Sequence, residues 1–271
     1  MFRKLKARVR FARANLELSL RRPRPRAHRL NTPLVVSVAS YPPRYANLAR
    51  TLKSLLRQTV RPDATILCVD EGDRAQLPSD VLALQAEGLT IRSGEGIRSY
   101  NKIIPALRAF PDSTIVTADD DVHYPADWLE GLVGVKEAEA EARVVCHRAH
   151  RVTLGPDGTP LPYRQWHWNI DGPDAGPLIV PTGVMGVLYA PGAFHPDVTR
   201  SDLFMKLCPN TDDIWLYWMF RMGGEQARKT PSMIPIYTWP GSQVTNLRRN
   251  NVRGNGNDHA IAALVSHYGF P

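Results

Sequence analysis

The sequence predicts an α/β protein, with a doubly wound, mostly parallel sheet followed by a smaller and more irregular subregion. Short apolar, β-branched runs recur at Leu34–Ala39, 65–69, 89–92 and 113–117. Patterns with a period of about 3.6 residues lie between them, and strands alternating with helices in this way wind into a parallel sheet. The 271 residues are enough to bury a substantial core. At 43% hydrophobic and 22% charged residues, the composition excludes wholesale disorder and a coiled coil.

The formal charge of +8 points to a polyanionic partner until it is located along the chain. Residues 1–30 carry nine Arg and two Lys against one Glu, or +10, so the rest of the chain sums to −2. A nucleic-acid-binding module, the reading from a different class, would spread basic residues among aromatics across the folded domain. The slightly acidic remainder argues against it, and no nucleic acid partner is expected. Within the leader, Phe2, Leu5, Val9, Ala12, Leu16 and Leu20 recur at helical spacing among basic residues, the pattern of an amphipathic helix lying on an anionic membrane surface. A basic helix that docks on its own domain or on a partner protein has the same pattern. Pro23 and Pro25 stop the helix, and 21–29 reads as an extended linker. Deleting the leader is expected to reduce membrane association more than donor binding.

From Leu34 the elements follow in order. The first strand ends at the turn Ser40-Tyr41-Pro42-Pro43-Arg44, and a helix continues through Leu48, Leu52, Leu55 and Leu56. The second strand ends in Asp70-Glu71-Gly72-Asp73. A helix near 79–86, the third strand, a helix over 100–110 and the fourth strand lead to Asp119-Asp120-Asp121. A helix starts near Pro125, and Gly155-Pro156-Asp157-Gly158 makes a hairpin turn. An irregular stretch rich in Pro and Gly then precedes an apolar helix, Asp212–Met222. A polar loop at 246–257 leads to a last helix ending at Tyr268.

Ligands of such sheets sit beyond the carboxyl ends of the strands, where both acidic clusters fall. Three adjacent carboxylates repel one another, so Asp119-Asp120-Asp121 calls for a cation, and Mg²⁺ or Mn²⁺ carrying phosphates would supply one. Extended backbone would point Asp119 and Asp121 one way and Asp120 the other.

Taken together, Ser54 to Thr59 (Ser-Leu-Leu-Arg-Gln-Thr), Leu67-Cys68-Val69-Asp70 and the run from Asp119 to Leu129 resemble family-2-type glycosyltransferases of the GT-A fold, over roughly residues 34–222. The resemblance implies transfer of a sugar from a nucleotide-diphosphate donor, with a divalent metal at the Asp-x-Asp motif. It implies that Asp70 contacts the base, usually uracil, that Asp119 and Asp120 lie by the nucleotide, and that Asp119 and Asp121 hold the metal. Here Asp70-Glu71-Gly72-Asp73 stands where Asp-Asp-Gly-Ser is typical. Lys102, with Arg98 behind it, suits the diphosphate. Thr211-Asp212-Asp213 looks like the family's Glu-Asp motif, which makes Asp213 the general base with Asp212 as its substitute. Helix capping alone would also place Asp there.

Gly183 and Gly186 allow close approach to a sugar, and Trp166, His167 and Trp168 offer a stacking platform. His259 is a candidate late metal ligand, with Asp258 competing, and Arg248, Arg249 and Arg253 a candidate lid. The implied domain plan is a leader, 1–30, and a GT-A domain, 31–271, with a donor half to about 125. The resulting function is hexose transfer to a glycan or lipid-linked acceptor of a surface polysaccharide, and a nucleotidyltransferase is the alternative. Cys68, Cys146 and Cys208 have no metal-binding spacing. Unpaired thiols and the absence of a long apolar run suggest a cytoplasmic protein, peripheral at the inner face of the cell membrane.

Overall fold

The sheet is built around strand β2 (Leu34–Ala39), whose alternate residues are buried on both faces, as its unbroken apolar run requires. The computed structural model describes residues 2–22, 24–231, 234–242 and 255–271. In chain order, the elements flanking β2 are α1 (Phe2–Leu20), β1 (Arg26–Ala27), α2 (Tyr45–Leu56), β3 (Val60–Arg61) and β4 (Ala64–Val69). They are followed by α3 (Glu71–Arg74), α4 (Ser79–Leu82), β5 (Leu89–Ser93), α5 (Ile104–Ala109), β6 (Thr114–Ala118) and α6 (Trp128–Ala138). The second half has β7 (Val144–Cys146), β8 (Ala149–Arg151), β9 (Asp174–Gly176), β10 (Ile179–Pro181) and β11 (Val187–Tyr189). It ends with α7 (Ser201–Leu207), α8 (Asp212–Met222), β12 (Ala227–Lys229) and α9 (Gly256–Tyr268).

The main sheet has the order β5-β4-β2-β6-β11-β7-β12-β9. Strands β5, β4, β2 and β6 are parallel, as expected. From β2 the chain winds outward to β4 and β5, then returns to β6 on the other side of β2. That reversal opens a crevice at the carboxyl ends of β2 and β6. Strand β11 runs antiparallel between β6 and β7 and joins the two halves of the sheet.

One apolar cluster packs β2, β4 and β5 against α2 and α6. Another surrounds α8, where Ile214 through Phe220 are all buried. A helix apolar on every side belongs in the interior, so the first turn of α8, with Asp212 and Asp213, is held firmly.

Two local expectations are corrected. The helix read over 100–110 is split into a 3₁₀ turn, Arg98–Lys102, and α5. Pro105 lacks an N–H and fits only the first turn, which fixes the start of α5. The stretch read as a linker is extended but attached to the domain: β1 pairs in parallel with β3, and Arg21 is buried. Its guanidinium donates to Ser54 O (3.2 Å) near the carboxyl end of α2 and to Tyr124 O (3.0 Å), and pairs with Glu17 (2.7 Å). Carbonyls near a helix end lack helical partners, and a cation satisfies them well.

Candidate active site

A cleft of about 1410 Å³ opens at the carboxyl ends of β2, β4 and β6 and extends under β10 and the start of α8. Asp70, Lys102, the three residues Asp119 to Asp121, Asp212 and Asp213 all line it.

Asp70, at the end of β4, accepts hydrogen bonds from Gly96 N (2.9 Å) and Asn101 Nδ2 (2.8 Å), and so fixes the 94–101 loop. A Cβ at Gly94 would stand 2.5 Å from Asp70 Oδ1, so this position admits only glycine without a shift.

The acidic triad does not alternate as expected, because β6 ends at Ala118 and pleating no longer sets the direction of the next residues. Asp119 Oδ1 faces Lys102 Nζ at 3.1 Å. Arg44 touches both of the other two: it bonds Asp121 Oδ2 and lies 3.8 Å from Asp120 Oδ1. Ser40 Oγ donates to Asp120 Oδ2 (2.6 Å). Backbone bonds hold the triad from outside, with Thr51 Oγ1 donating to Asp120 O (2.9 Å) and Trp239 N to Asp121 O (3.0 Å). Burial pushes the Asp120 carboxyl up to about 6 despite Ser40 and Arg44. Asp121 is also raised, by burial and then by the charge of Asp119.

Lys102 joins the two acidic clusters. Its Nζ lies 2.9 Å from Asp212 Oδ2 as well as facing Asp119. Burial alone would depress the ammonium, but Asp119, Asp212 and Asp213 hold it well above its ordinary value. Asp213 accepts a bond from Gly183 N (3.0 Å). Burial, and then the charge of Asp212, raises its carboxyl far above the usual range, which suits a group that takes a proton near neutrality. A Cβ on Gly183 would stand 2.8 Å from both Asp213 Oδ1 and Lys102 Nζ. Gly186 has φ +84°, and a Cβ there would meet the Trp128 ring at 2.5 Å. The Trp128 ring and Thr117 O thus leave no room for a Cβ at Gly186, whereas one at Gly183 would displace the ends of Asp213 and Lys102.

A hard divalent cation fits the donor set. Asp119 and Asp121 offer carboxylate oxygens, and the effect of Asp119 on Asp121 is a repulsion that a cation would relieve. Among the described residues no three His, Cys, Asp or Glu side chains stand close enough to hold a metal, so these two carboxylates would supply only part of a coordination shell. His259, expected as a late ligand, is exposed on α9 and does not line the cleft. Asp258 is used elsewhere, accepting from Tyr163 N (2.6 Å). Arg248, Arg249 and Arg253 lie outside the described residues. Arg98 lines the cleft but bonds Asn210 at its rim. Of the aromatic trio only Trp168 lines the cleft, stacked on His150 at 5.4 Å, while Trp166 is core and His167 is exposed outside it.

Against this geometry, the family model for glycosyl transferase family 2 matches residues 38–187, just over half of the chain. The chain belongs to glycosyl transferase family 2. The matched region runs from β2 to β11 and takes in Asp70, Lys102 and the triad, while Asp212 and Asp213 lie beyond it. No curated protein matches the chain. Among solved structures, the 4-diphosphocytidyl-2C-methyl-D-erythritol synthase of Anaerococcus prevotii is 13% identical over 65% of this chain and 76% of its own, with TM-score 0.37. The CMP:2-keto-3-deoxy-manno-octonic acid synthetase, in complex with CTP, is 11% identical over 84% of this chain and 99% of its own, with TM-score 0.43. No helix among the described residues is long and apolar enough to cross a membrane.

Sequence reasoning did not find Ser40, Arg44, Thr51 and Trp239 of this glycosyltransferase. The first two had a positional signal, since they follow the first strand at the switch point of the sheet. Trp239 is 118 residues from Asp121 in the sequence and carries no local signal.

Proposed function

We propose that this chain is a metal-dependent hexosyltransferase, inverting, that uses a nucleotide-diphosphate sugar, with a UDP-sugar favoured. Its acceptor is a glycan or lipid-linked molecule in surface-polysaccharide assembly. The observation that carries this reading is the convergence of the triad and the buried, proton-hungry Asp213 on one cleft, joined by Lys102.

Asp213 takes the proton of the acceptor hydroxyl as that oxygen bonds the anomeric carbon. The bond from that carbon to the diphosphate breaks on the opposite face, and its electron pair leaves with the nucleoside diphosphate. Gly183 N orients the Asp213 carboxylate, and Lys102 offsets charge on the leaving group. Asp119 and Asp121 would hold Mn²⁺ or Mg²⁺, which when bound supplies Lewis-acid stabilisation of the diphosphate. Asp70 faces the base, and Trp168 offers an apolar face to the acceptor sugar. The basic α1 helix brings the enzyme to an anionic membrane where lipid-linked acceptors reside. The alternative, a nucleotidyltransferase, would carry a glycine-rich, Lys-bearing loop after the first strand, whereas Ser40 to Arg44 contains no glycine.

A thermal-shift screen of UDP, UDP-sugars and nucleoside triphosphates, with and without Mn²⁺, tests this. Metal-dependent stabilisation by UDP-sugars is expected, lost in Asp121→Ala and kept in Asp213→Ala, which loses turnover. Stabilisation by triphosphates alone, or by nothing, overturns the reading.

A further inference from the structure

The leader helix has two opposed faces, of which only one is occupied. Phe11, Ala14, Asn15 and Leu18 are turned toward the domain and Leu18 is buried. Phe11 meets the Trp239 ring edge-on at 6.1 Å and lies under Arg50, whose Nε donates to Asn15 Oδ1 (3.0 Å). On the far side, Val9, Leu16 and Leu20 are 50%, 60% and 69% exposed. At about 100° per residue these three stand within roughly 40° of one another, about 180° from the docked face. They are three of the seven large apolar side chains left exposed among the described residues. Two more, Tyr41 and Ile236, line the cleft.

The charge around this stripe identifies its occupant. Arg10 and Arg13 are exposed on the same helix, Arg22 and Arg24 are exposed just after its end, and Arg3, Lys4, Lys6 and Arg8 precede the stripe in the sequence. The one acid of the helix, Glu17, is engaged by Arg21 and His123. An apolar stripe with a dense cationic border and no free acid suits anionic lipid headgroups over acyl chains.

The helix is also tied to the cleft mouth. Trp239, which packs on Phe11 and bonds Asp121 O, ends a segment whose Ile234, Pro235, Ile236 and Thr238 line the cleft. Ile234 and Trp239 are therefore separated by at most roughly 18 Å of chain.

We propose that α1 is a fixed mount rather than a flexible tether: Val9, Leu16 and Leu20 enter an anionic bilayer surface and seat the cleft lip at Ile236 against it. This deepens the lipid-linked acceptor named above and rests on that reading. Cosedimentation of the full-length protein with phosphatidylcholine vesicles, with and without phosphatidylglycerol, tests the surface. Binding to the anionic vesicles is expected, with a loss of about tenfold or more in Leu16→Asp/Leu20→Asp at unchanged Tm. The mount is tested by a nitrobenzoxadiazole label on Ile236→Cys, for which the native thiols do not compete because Cys68, Cys146 and Cys208 are buried. Its emission should shift to the blue on anionic vesicles, and not in the double Asp background. Absent vesicle binding, binding that survives the two Asp substitutions, or self-association through this stripe in place of vesicle binding overturns the surface. A bound protein with unchanged label emission overturns the mount. The thermal shift with UDP-sugar and Mn²⁺ is read separately, so failure of the catalytic assignment leaves a distinct signature.

Discussion

Replacing Lys102 by Met keeps the length of the side chain and removes the charge that joins the acidic clusters. The ammonium stands 3.1 Å from Asp119 and 2.9 Å from Asp212, with its own side chain 11% exposed. At an effective dielectric near 20, each of these attractions is worth roughly 5 kcal/mol before desolvation. Removing one partner of a buried pair costs a net of about 3–5 kcal/mol, because the charge left behind is uncompensated. In a chain of this size that lowers Tm by roughly 5–9 °C.

The sign of the pH dependence follows from the carboxylates. In the native protein the raised Lys102 pKa contributes stability that is fully present below the unfolded lysine value, and so at neutral pH. In Lys102→Met, Asp119, Asp212 and Asp213 lose their counter-charge, and the Asp213 carboxyl, already raised by burial, is pushed further above its unfolded value. Stability is then lost as pH rises through that raised value. Thermal melts of both proteins should therefore show the full deficit near about pH 8 and a much smaller one near about pH 5. An equal deficit at both pH values, or none, would refute the electrostatic account of this cluster.

Asp213→Asn should lower kcat by about 10²–10⁴-fold while keeping the donor-induced thermal shift, as expected for loss of a general base. With Asp213 as the proposed base, the acid limb of the kcat/KM profile should lie above the ordinary carboxylate range, because burial raises its carboxyl and a base must be deprotonated. Steady-state rates across pH check both. Gly183→Ala should displace Asp213 and Lys102 and lower turnover by about 10²-fold with a stability loss of roughly 1–3 kcal/mol. Melting and kinetics on the same sample separate the two effects. Asp120→Asn should remove a carboxyl that burial already disfavours as an anion and be tolerated in folding, with Ser40 Oγ still able to donate to the amide oxygen; a collapse of Tm would contradict this.

Much of the fold was legible because its signals are local. The apolar run Leu34–Ala39 and the helix Asp212–Met222 have the bounds read from the sequence, since an uninterrupted apolar run and an acidic first turn mark them. The antiparallel β11 was not legible, because three residues carry no periodicity that separates a strand from a packed loop. In the site, the acidic residues announced themselves through their mutual repulsion. Of their cations, Lys102 was expected at the diphosphate but its bridge to Asp212, 110 positions away, was not legible, and Arg44 looks like any surface arginine until the switch point of the sheet brings it to the triad. Arg21 was hidden for a similar reason. Within a basic run it reads as solvated, yet backbone carbonyls and Glu17 surround it.

That buried arginine changes what counts as the catalytic unit. A protein begun at residue 31, the boundary suggested by charge alone, would lose the guanidinium that satisfies Ser54 and Tyr124, the strand beside β3 and the ring against Trp239. Trp239 in turn holds Asp121. The basic leader is thus also part of the wall behind the acidic motif, and trimming it to obtain a tidier fragment would remove packing and hydrogen bonds that hold Asp121 in place.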